Sequence, residues 1–155
     1  MRVPICLLLA TALVGCGTQK EGSAMPDPAA VKVAVRAHLD ETSSLMAEGA
    51  PPAVIVEQAY WPDAVTVMEG VPTAIRGKGP LTDVMAASSK EGVGTKCAFT
   101  IDEPAIVSGN IASTFSDATC GEGDKAMKMR TLYVWQNRDG HWKIIREMIA
   151  IGALN

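Results

Sequence analysis

The chain has 155 residues and a formal net charge of -3 at neutral pH. This length predicts one domain, and the acidic balance argues against nucleic acid as a partner. Hydrophobic residues make up 48% of the chain but aromatic residues only 5%. A core must therefore be built mainly from aliphatic side chains and methionine.

The N-terminus has the features of an export signal. Arg2 supplies a positive charge, and residues 5–14 are almost wholly apolar, a run too short to span a membrane as a helix. The run ends in residues 13–16, LVGC, which resemble the lipobox of bacterial lipoproteins. The resemblance implies cleavage of a signal peptide at residues 1–15, lipidation of Cys16, and a lipoprotein anchored in the bacterial cell envelope that faces the periplasm or exterior. An ordinary secretory signal with an incidental cysteine is the alternative.

Residues 16–27 predict a flexible tether behind the lipidated cysteine, because they are polar, contain glycine and end next to two prolines. The folded domain is then expected at residues 28–155. Asp27 is a candidate N-cap, with Pro28 at the first helical position.

Three helices are predicted, at residues 29–48, 52–58 and 80–89. In the first helix, steps of four and three residues place a mainly apolar set on one face. That face consists of Val31, Val35, His38, Thr42 and Leu45.

Strands follow the helices. Residues 64–68, 73–75, 97–102 and 111–120 are rich in β-forming side chains. Residues 128–135 and 141–151 flank a turn signal built on Asp139-Gly140, which predicts a β-hairpin. Helices segregated from strands indicate an α+β fold, with helices covering one face of an antiparallel sheet of four to six strands.

Two cysteines remain in the domain, Cys97 and Cys120, and an even pair in an exported domain suggests a disulfide. Ser108-Gly109 is a candidate two-residue turn between their strands. A hairpin centred there places the two cysteines directly opposite each other. Two buried free thiols are the alternative.

Three segments carry a resemblance to a known family. Residues 60–67 (YWPDAVTV), residues 75–81 (IRGKGPL) and the closing hairpin around Asp139-Gly140 resemble, in order, the SnoaL-like/DUF4440 set. This set belongs to the cystatin-like family that includes nuclear transport factor 2 and ketosteroid isomerase. The resemblance implies a curved sheet wrapped around the N-terminal helix, with a conical pocket at its open end.

The catalytic groups of the isomerase branch are not matched. That branch uses a carboxylate base a few residues after the Asp-Ala pair and a tyrosine on the first helix. Those positions fall on Met68 and near Thr42 in this chain. His38 is a weak candidate for acid–base work, against a structural role satisfied by a backbone carbonyl, and Asp63 is a second weak candidate that more simply caps a turn.

Four residues are expected near the pocket as ligand-binding residues: Tyr60, Met68, Trp142 and Arg146. Arg146 and Glu147 alternate on the last strand, so one of them faces inward. Arg146 shares a face with Trp142 by simple alternation and would suit a carboxylate ligand there, although a cross-strand ion pair is the alternative. With two histidines in the chain and both domain cysteines paired, neither a metal site nor a cofactor is predicted.

Two classes of function remain. The first is a lipid-anchored module that binds a small apolar ligand or a protein partner, with a homodimer through the sheet as a further expectation. The second is an acid–base enzyme, of the isomerase, cyclase or hydratase type, that acts on a small hydrophobic substrate. The missing isomerase groups favour the first class, because a fold alone does not confer activity.

Overall fold

The computed structural model of the protein describes residues 26–90, 97–102, 105–121, 123 and 126–152. The expected signal peptide, Cys16 and almost all of the expected tether lie outside these residues. Within them, no helix combines the length and apolarity that crossing a membrane requires.

The described residues form three helices and seven strands. The helices are α1 (Pro28–Ala47), α2 (Pro52–Ala59) and α3 (Lys78–Lys90). The strands are β1 (Tyr60–Met68), β2 (Ile75–Arg76), β3 (Cys97–Ile101), β4 (Ile106–Ser108), β5 (Ile111–Cys120), β6 (Met127–Arg138) and β7 (His141–Ile151).

All strands belong to one curved, unclosed sheet in the order β2-β1-β7-β6-β5-β3, with β4 paired to β5. The predicted α+β class is confirmed. The sheet has more strands than expected and is mixed, because β1 runs parallel to β7 while the other neighbours are antiparallel. The parallel pairing follows from the long connection through α3 and β3 to β6, which separates β1 from β7 in the chain.

Local signals set the ends of α1 and of the last hairpin. The Asp27 carboxylate accepts a hydrogen bond from the Ala29 amide at 3.1 Å, and Pro28 occupies the first turn, as predicted. The β6–β7 turn has positive φ at both central residues, 54° at Asp139 and 86° at Gly140. That geometry is the one an Asp-Gly pair adopts in a two-residue hairpin.

The buried face of α1 differs from the predicted one. It runs through Val31, Val35, Leu39 and Ser43, in steps of four residues. Ser43 tolerates burial because its hydroxyl group is satisfied by the backbone of β3. The hydroxyl donates to the Cys97 carbonyl at 2.7 Å and accepts from the Cys97 amide at 2.9 Å. His38, predicted on this face, therefore lies at its border and is only half-buried.

The predicted disulfide between Cys97 and Cys120 is present, and the two residues are directly opposite in the β3–β5 ladder. The turn position was wrong by one residue, because Ser108 pairs with Ile111 and the turn is Gly109-Asn110. The register shifts by two residues between the β4–β5 ladder, where Ile106 pairs with Ser113, and the β3–β5 ladder, where Ile101 pairs with Ser116, and this shift restores the cysteine pairing.

The core lies between α1 and the inner, concave face of the sheet. Trp135 on β6 is its largest fully buried side chain, and its indole nitrogen donates to the Thr114 hydroxyl at 3.0 Å. Around it pack aliphatic residues of α1 and the strands, in keeping with the low aromatic content. The helices and the sheet enclose a cavity at one end of this core.

Candidate functional site

The cavity, called the cone below, has a volume of about 290 Å³. All three helices and the inner face of the sheet contribute to its wall, which is mainly apolar. Methionine is unusually frequent in this wall, and its flexible thioether adapts to ligands of different shape. The lining methionines are Met46, Met68, Met85, Met127 and Met129.

Among the described residues, one carboxyl group belongs to this mainly apolar wall. Glu147 on β7 is 5% exposed, and its Oε2 accepts hydrogen bonds from the Tyr60 hydroxyl at 2.9 Å and the Thr66 hydroxyl at 3.0 Å. Within the described part of the chain, Oε1 accepts no hydrogen bond. Because Glu147 lines the cone and its Oε2 is occupied, Oε1 is the oxygen left for a molecule in the cone.

Burial raises the pKa of the Glu147 carboxyl to about 7, while the hydrogen bonds from Tyr60 and Thr66 act in the opposite direction. Burial, and then the charge of Glu147, raise the pKa of Tyr60 well above its usual range, so Tyr60 stays a hydrogen-bond donor. A carboxyl group with such a pKa is present in both protonation states near neutral pH. It can bind as an acceptor or a donor, and it can transfer a proton.

An irregularity in β7 explains why Glu147, rather than Arg146, faces the cone. Trp135 pairs with Ile144, but its neighbour Val134 pairs with Arg146, so Ile145 is an extra residue in β7. Such a β-bulge reverses the alternation of side chains beyond it. The inward orientation expected for Arg146 is therefore wrong. The sequence signal that could have revealed this bulge is the consecutive pair Ile144 and Ile145, which are both buried.

Two of the four expected ligand-binding residues, Tyr60 and Met68, line the cone. Their role in binding stays a prediction. Arg146 is exposed, and its guanidinium donates to the backbone carbonyl of Asp63 at 3.2 Å. Trp142 lies in a separate groove beside α1 and does not line the cone.

The weak catalytic candidates also lie outside the cone. His38 lines the separate groove, and its ring meets the Trp135 ring edge-on at 5.6 Å between centroids. Burial lowers its pKa, and within the described residues its buried Nε2 has no hydrogen-bond partner. Asp63 is exposed and paired with Arg138 at 2.9 Å, a hydrogen bond that lowers the pKa of the carboxyl.

The positions that correspond to the isomerase groups carry no acid or phenol. Met68 and Thr42 both line the cone, but the carboxyl comes from β7 instead. Among the described residues, no group of three or more histidine, cysteine, aspartate or glutamate side chains is arranged to hold a metal ion.

Three helices packed in a curved, unclosed sheet, with an apolar cavity at one end, define the NTF2-like or cystatin-like fold. No protein-family model matches the sequence, and no curated protein matches it. Solved structures do match the fold.

Among these is an NTF2-like protein of unknown function from Pseudomonas putida, with a TM-score of 0.63 and 18% identity over 82% of this chain and 89% of that one. A ketosteroid isomerase-like protein from Erwinia carotovora atroseptica has a TM-score of 0.62 and 22% identity over 79% and 96% of the two chains. A cystatin-like domain of unknown function from Nostoc punctiforme has a TM-score of 0.65 and 15% identity over 81% and 79%. At these identities the comparisons support the fold alone.

Proposed function

We propose that the cone binds a small, mainly apolar molecule that presents one polar group to Glu147. The observation that carries this proposal is the cavity wall, whose described residues include one carboxyl group among apolar and methionine side chains. Ligand sites of this kind combine an apolar wall with a few polar groups that fix the orientation of the ligand. The finer assignment to the SnoaL-like/DUF4440 set belongs to the same proposal, and the motifs at residues 60–67 and 75–81 support it.

Blocking the cone tests the proposal. Adamantan-1-ol, a rigid apolar alcohol, serves as the probe in isothermal titration calorimetry. Met68→Trp fills the cone and should abolish binding, whereas Met148→Trp on the neighbouring strand should not, because Met148 is 56% exposed on the outer face of the sheet. Binding that survives Met68→Trp in a folded protein, checked by circular dichroism, would place the ligand site elsewhere.

A second candidate function is acid–base catalysis on a small hydrophobic substrate in the same cone. The observation that favours it is Oε1 of Glu147, which accepts no hydrogen bond from the described residues and belongs to a carboxyl whose pKa is near neutrality. Groups with such pKa values are frequent in active sites, although structural burial also produces them. Glu147, rather than His38 or Asp63, is the residue we assign to proton transfer in this case.

We also propose that the protein is a lipoprotein anchored to the bacterial envelope membrane through Cys16. The apolar run at residues 5–14 and the small residue before the cysteine support this localisation. The Cys97–Cys120 disulfide is in keeping with an oxidising compartment. In cells that express the full chain, Cys16→Ser should move the protein from the detergent phase to the aqueous phase on Triton X-114 partitioning. Unchanged partitioning would contradict the anchor.

The outer face of the sheet supports the proposal of a homodimer. Its cross-strand neighbours form an apolar row across four strands, and three of the four side chains are more than two-fifths exposed. The row consists of Val67, Met148, Leu132 and Phe115. A second copy presents the same row, so apolar surface can meet apolar surface across a two-fold axis.

A further inference from the structure

The charge of the groups that line the cone restricts the ligand further. Among the described residues that line the cone, Glu147 is the one acid, and none is lysine, arginine or histidine. Against this described part of the wall, an anionic ligand would meet the Glu147 carboxylate and no cationic side chain, which is unfavourable in an apolar environment. A cationic ligand would instead neutralise the buried charge.

The hydrogen bonds of Glu147 are arranged to support its charged form. Tyr60 and Thr66 both donate to Oε2, and donors of this kind stabilise a carboxylate rather than a carboxylic acid. Burial opposes that effect. A cation at Oε1 would offset the cost of burying the carboxylate, since a carboxylate paired with a hydrogen-bonded cation tolerates burial far better than an isolated one.

The remainder of the wall also suits an ammonium group on an apolar body. The aromatic side chains that line the cone are Tyr60, Phe99 and Tyr133. Aromatic faces attract cations, and the sulfur atoms of the lining methionines are polarisable. The apolar residues can cover the body of the ligand, and the hydroxyl groups of the wall offer acceptors for the other N–H groups of the ammonium ion. The lining residues with aliphatic hydroxyl groups are Thr42, Ser88, Ser89 and Thr131.

We propose that the ligand of the cone is a small hydrophobic amine, bound as its ammonium ion by Oε1 of Glu147. This proposal rests on the proposed ligand-binding function and names its ligand class. The amine donates one hydrogen bond to Oε1, and its hydrocarbon body contacts the methionine-rich wall. Neutral molecules of the same shape bind more weakly, and carboxylates are excluded.

Three probes that share one rigid body test this directly: 1-adamantylamine, adamantan-1-ol and adamantane-1-carboxylate, titrated calorimetrically into the full folded domain. At about pH 8, where Glu147 is ionised, the amine should bind about tenfold or more tightly than the alcohol, because a charge-assisted hydrogen bond replaces a neutral one. The carboxylate should not bind. On lowering the pH to about 6, the affinity for the amine should fall as Glu147 takes up a proton, while that for the alcohol should not.

Glu147→Gln should abolish the preference, so that the variant binds the amine no more tightly than the alcohol, because glutamine keeps the shape of the side chain and removes its charge. Glu48→Gln, an exposed acid at the end of α1, is the matched control and should retain the preference. If the alcohol binds and the amine binds no more tightly, the amine proposal fails while the proposed function stands. If none of the three probes binds, both fail.

Discussion

Glu147 and Met148 are consecutive residues of β7 that face opposite sides of one sheet. Glu147 is 5% exposed and held by two hydroxyl groups, whereas Met148 is 56% exposed and belongs to an apolar row. On the inner face, a polar group sits in an apolar cavity. On the outer face, apolar groups are next to charged ones, since Arg130 is paired with Asp117 at 2.6 Å. The inner face holds a carboxyl group in an apolar cavity, and the outer face exposes apolar side chains to water. Both arrangements are unfavourable in the isolated chain, and each face is therefore a candidate for binding.

The largest expected effect is on proton transfer in the cone. The probe is 5-nitrobenzisoxazole, whose ring opens to a coloured cyanophenolate when a base removes its C–H proton and the N–O bond breaks. If the cone is an acid–base site, the rate should rise with pH through about 7, as Glu147 ionises. Glu147→Gln should then lower it by about 10²–10⁴-fold, the usual contribution of a general base.

Two controls accompany this prediction. One distinguishes the inner from the outer face of the sheet, and the other distinguishes Glu147 from His38 as the proton-transfer group. Met148→Gln alters the outer face and should leave the rate unchanged. His38→Ala alters the groove beside α1 and should also leave it unchanged, because His38 does not line the cone. A rate abolished by His38→Ala, with the fold intact by circular dichroism, would transfer the catalytic assignment from Glu147 to His38.

The next effect is on stability and needs no ligand. Burial raises the pKa of Glu147 from 4.5 to about 7 on folding, so the native state disfavours the ionised form. The protonated carboxyl group stabilises the fold fully at pH values below the pKa that Glu147 has in the unfolded chain. This stabilisation is lost as the pH rises through the pKa that Glu147 has in the folded protein. A shift of this size corresponds to about 3 kcal/mol of unfolding free energy, most of it lost between about pH 5 and 8.

Glu147→Gln has no such titration. The free energy of unfolding of the wild-type protein should therefore fall by about 2–3 kcal/mol relative to the variant between about pH 5 and 8, as measured by urea denaturation. Asp63 and Asp117 remain in both proteins, so their contributions cancel. Parallel pH profiles for the two proteins would mean that Glu147 is not buried in an apolar cavity.

The features of the fold that follow from local chemistry were predictable from the sequence. Asp27 before Pro28 defines the start of α1, and Asp139-Gly140 defines the last turn, because each depends on a few neighbouring residues. The pairing of Cys97 with Cys120 was also correct, although the turn used to derive it was misplaced by one residue. The register shift of two residues between the β4–β5 and β3–β5 ladders compensated for the error.

The site itself was less predictable, because it depends on which face a residue occupies. Alternation assigned Arg146 to the cone, and one extra residue at Ile145 reversed that assignment. Helical spacing assigned His38 to the inner face, but Leu39 is there instead. On β7 a shift of one residue exchanges the inner face for the outer one, and on α1 it moves a side chain from the buried face to its border. Tertiary packing, not local sequence, decides both positions.

The smallest expected effect concerns the outer face. If two copies associate through the apolar row, Phe115→Gln should raise the dissociation constant of the dimer about tenfold, which corresponds to about 1.4 kcal/mol for the loss of a buried interface aromatic. Phe115 is 52% exposed in the single chain, so the stability of the fold should change by less than about 0.5 kcal/mol. Sedimentation velocity across a concentration series measures the first quantity and urea denaturation the second.

The matched control is Val33→Gln on the exposed side of α1, where a 70% exposed side chain lies away from the sheet. A wild-type protein that stays monomeric at all concentrations, or a Val33→Gln variant that dissociates as readily as Phe115→Gln, would exclude the apolar row as the dimer interface.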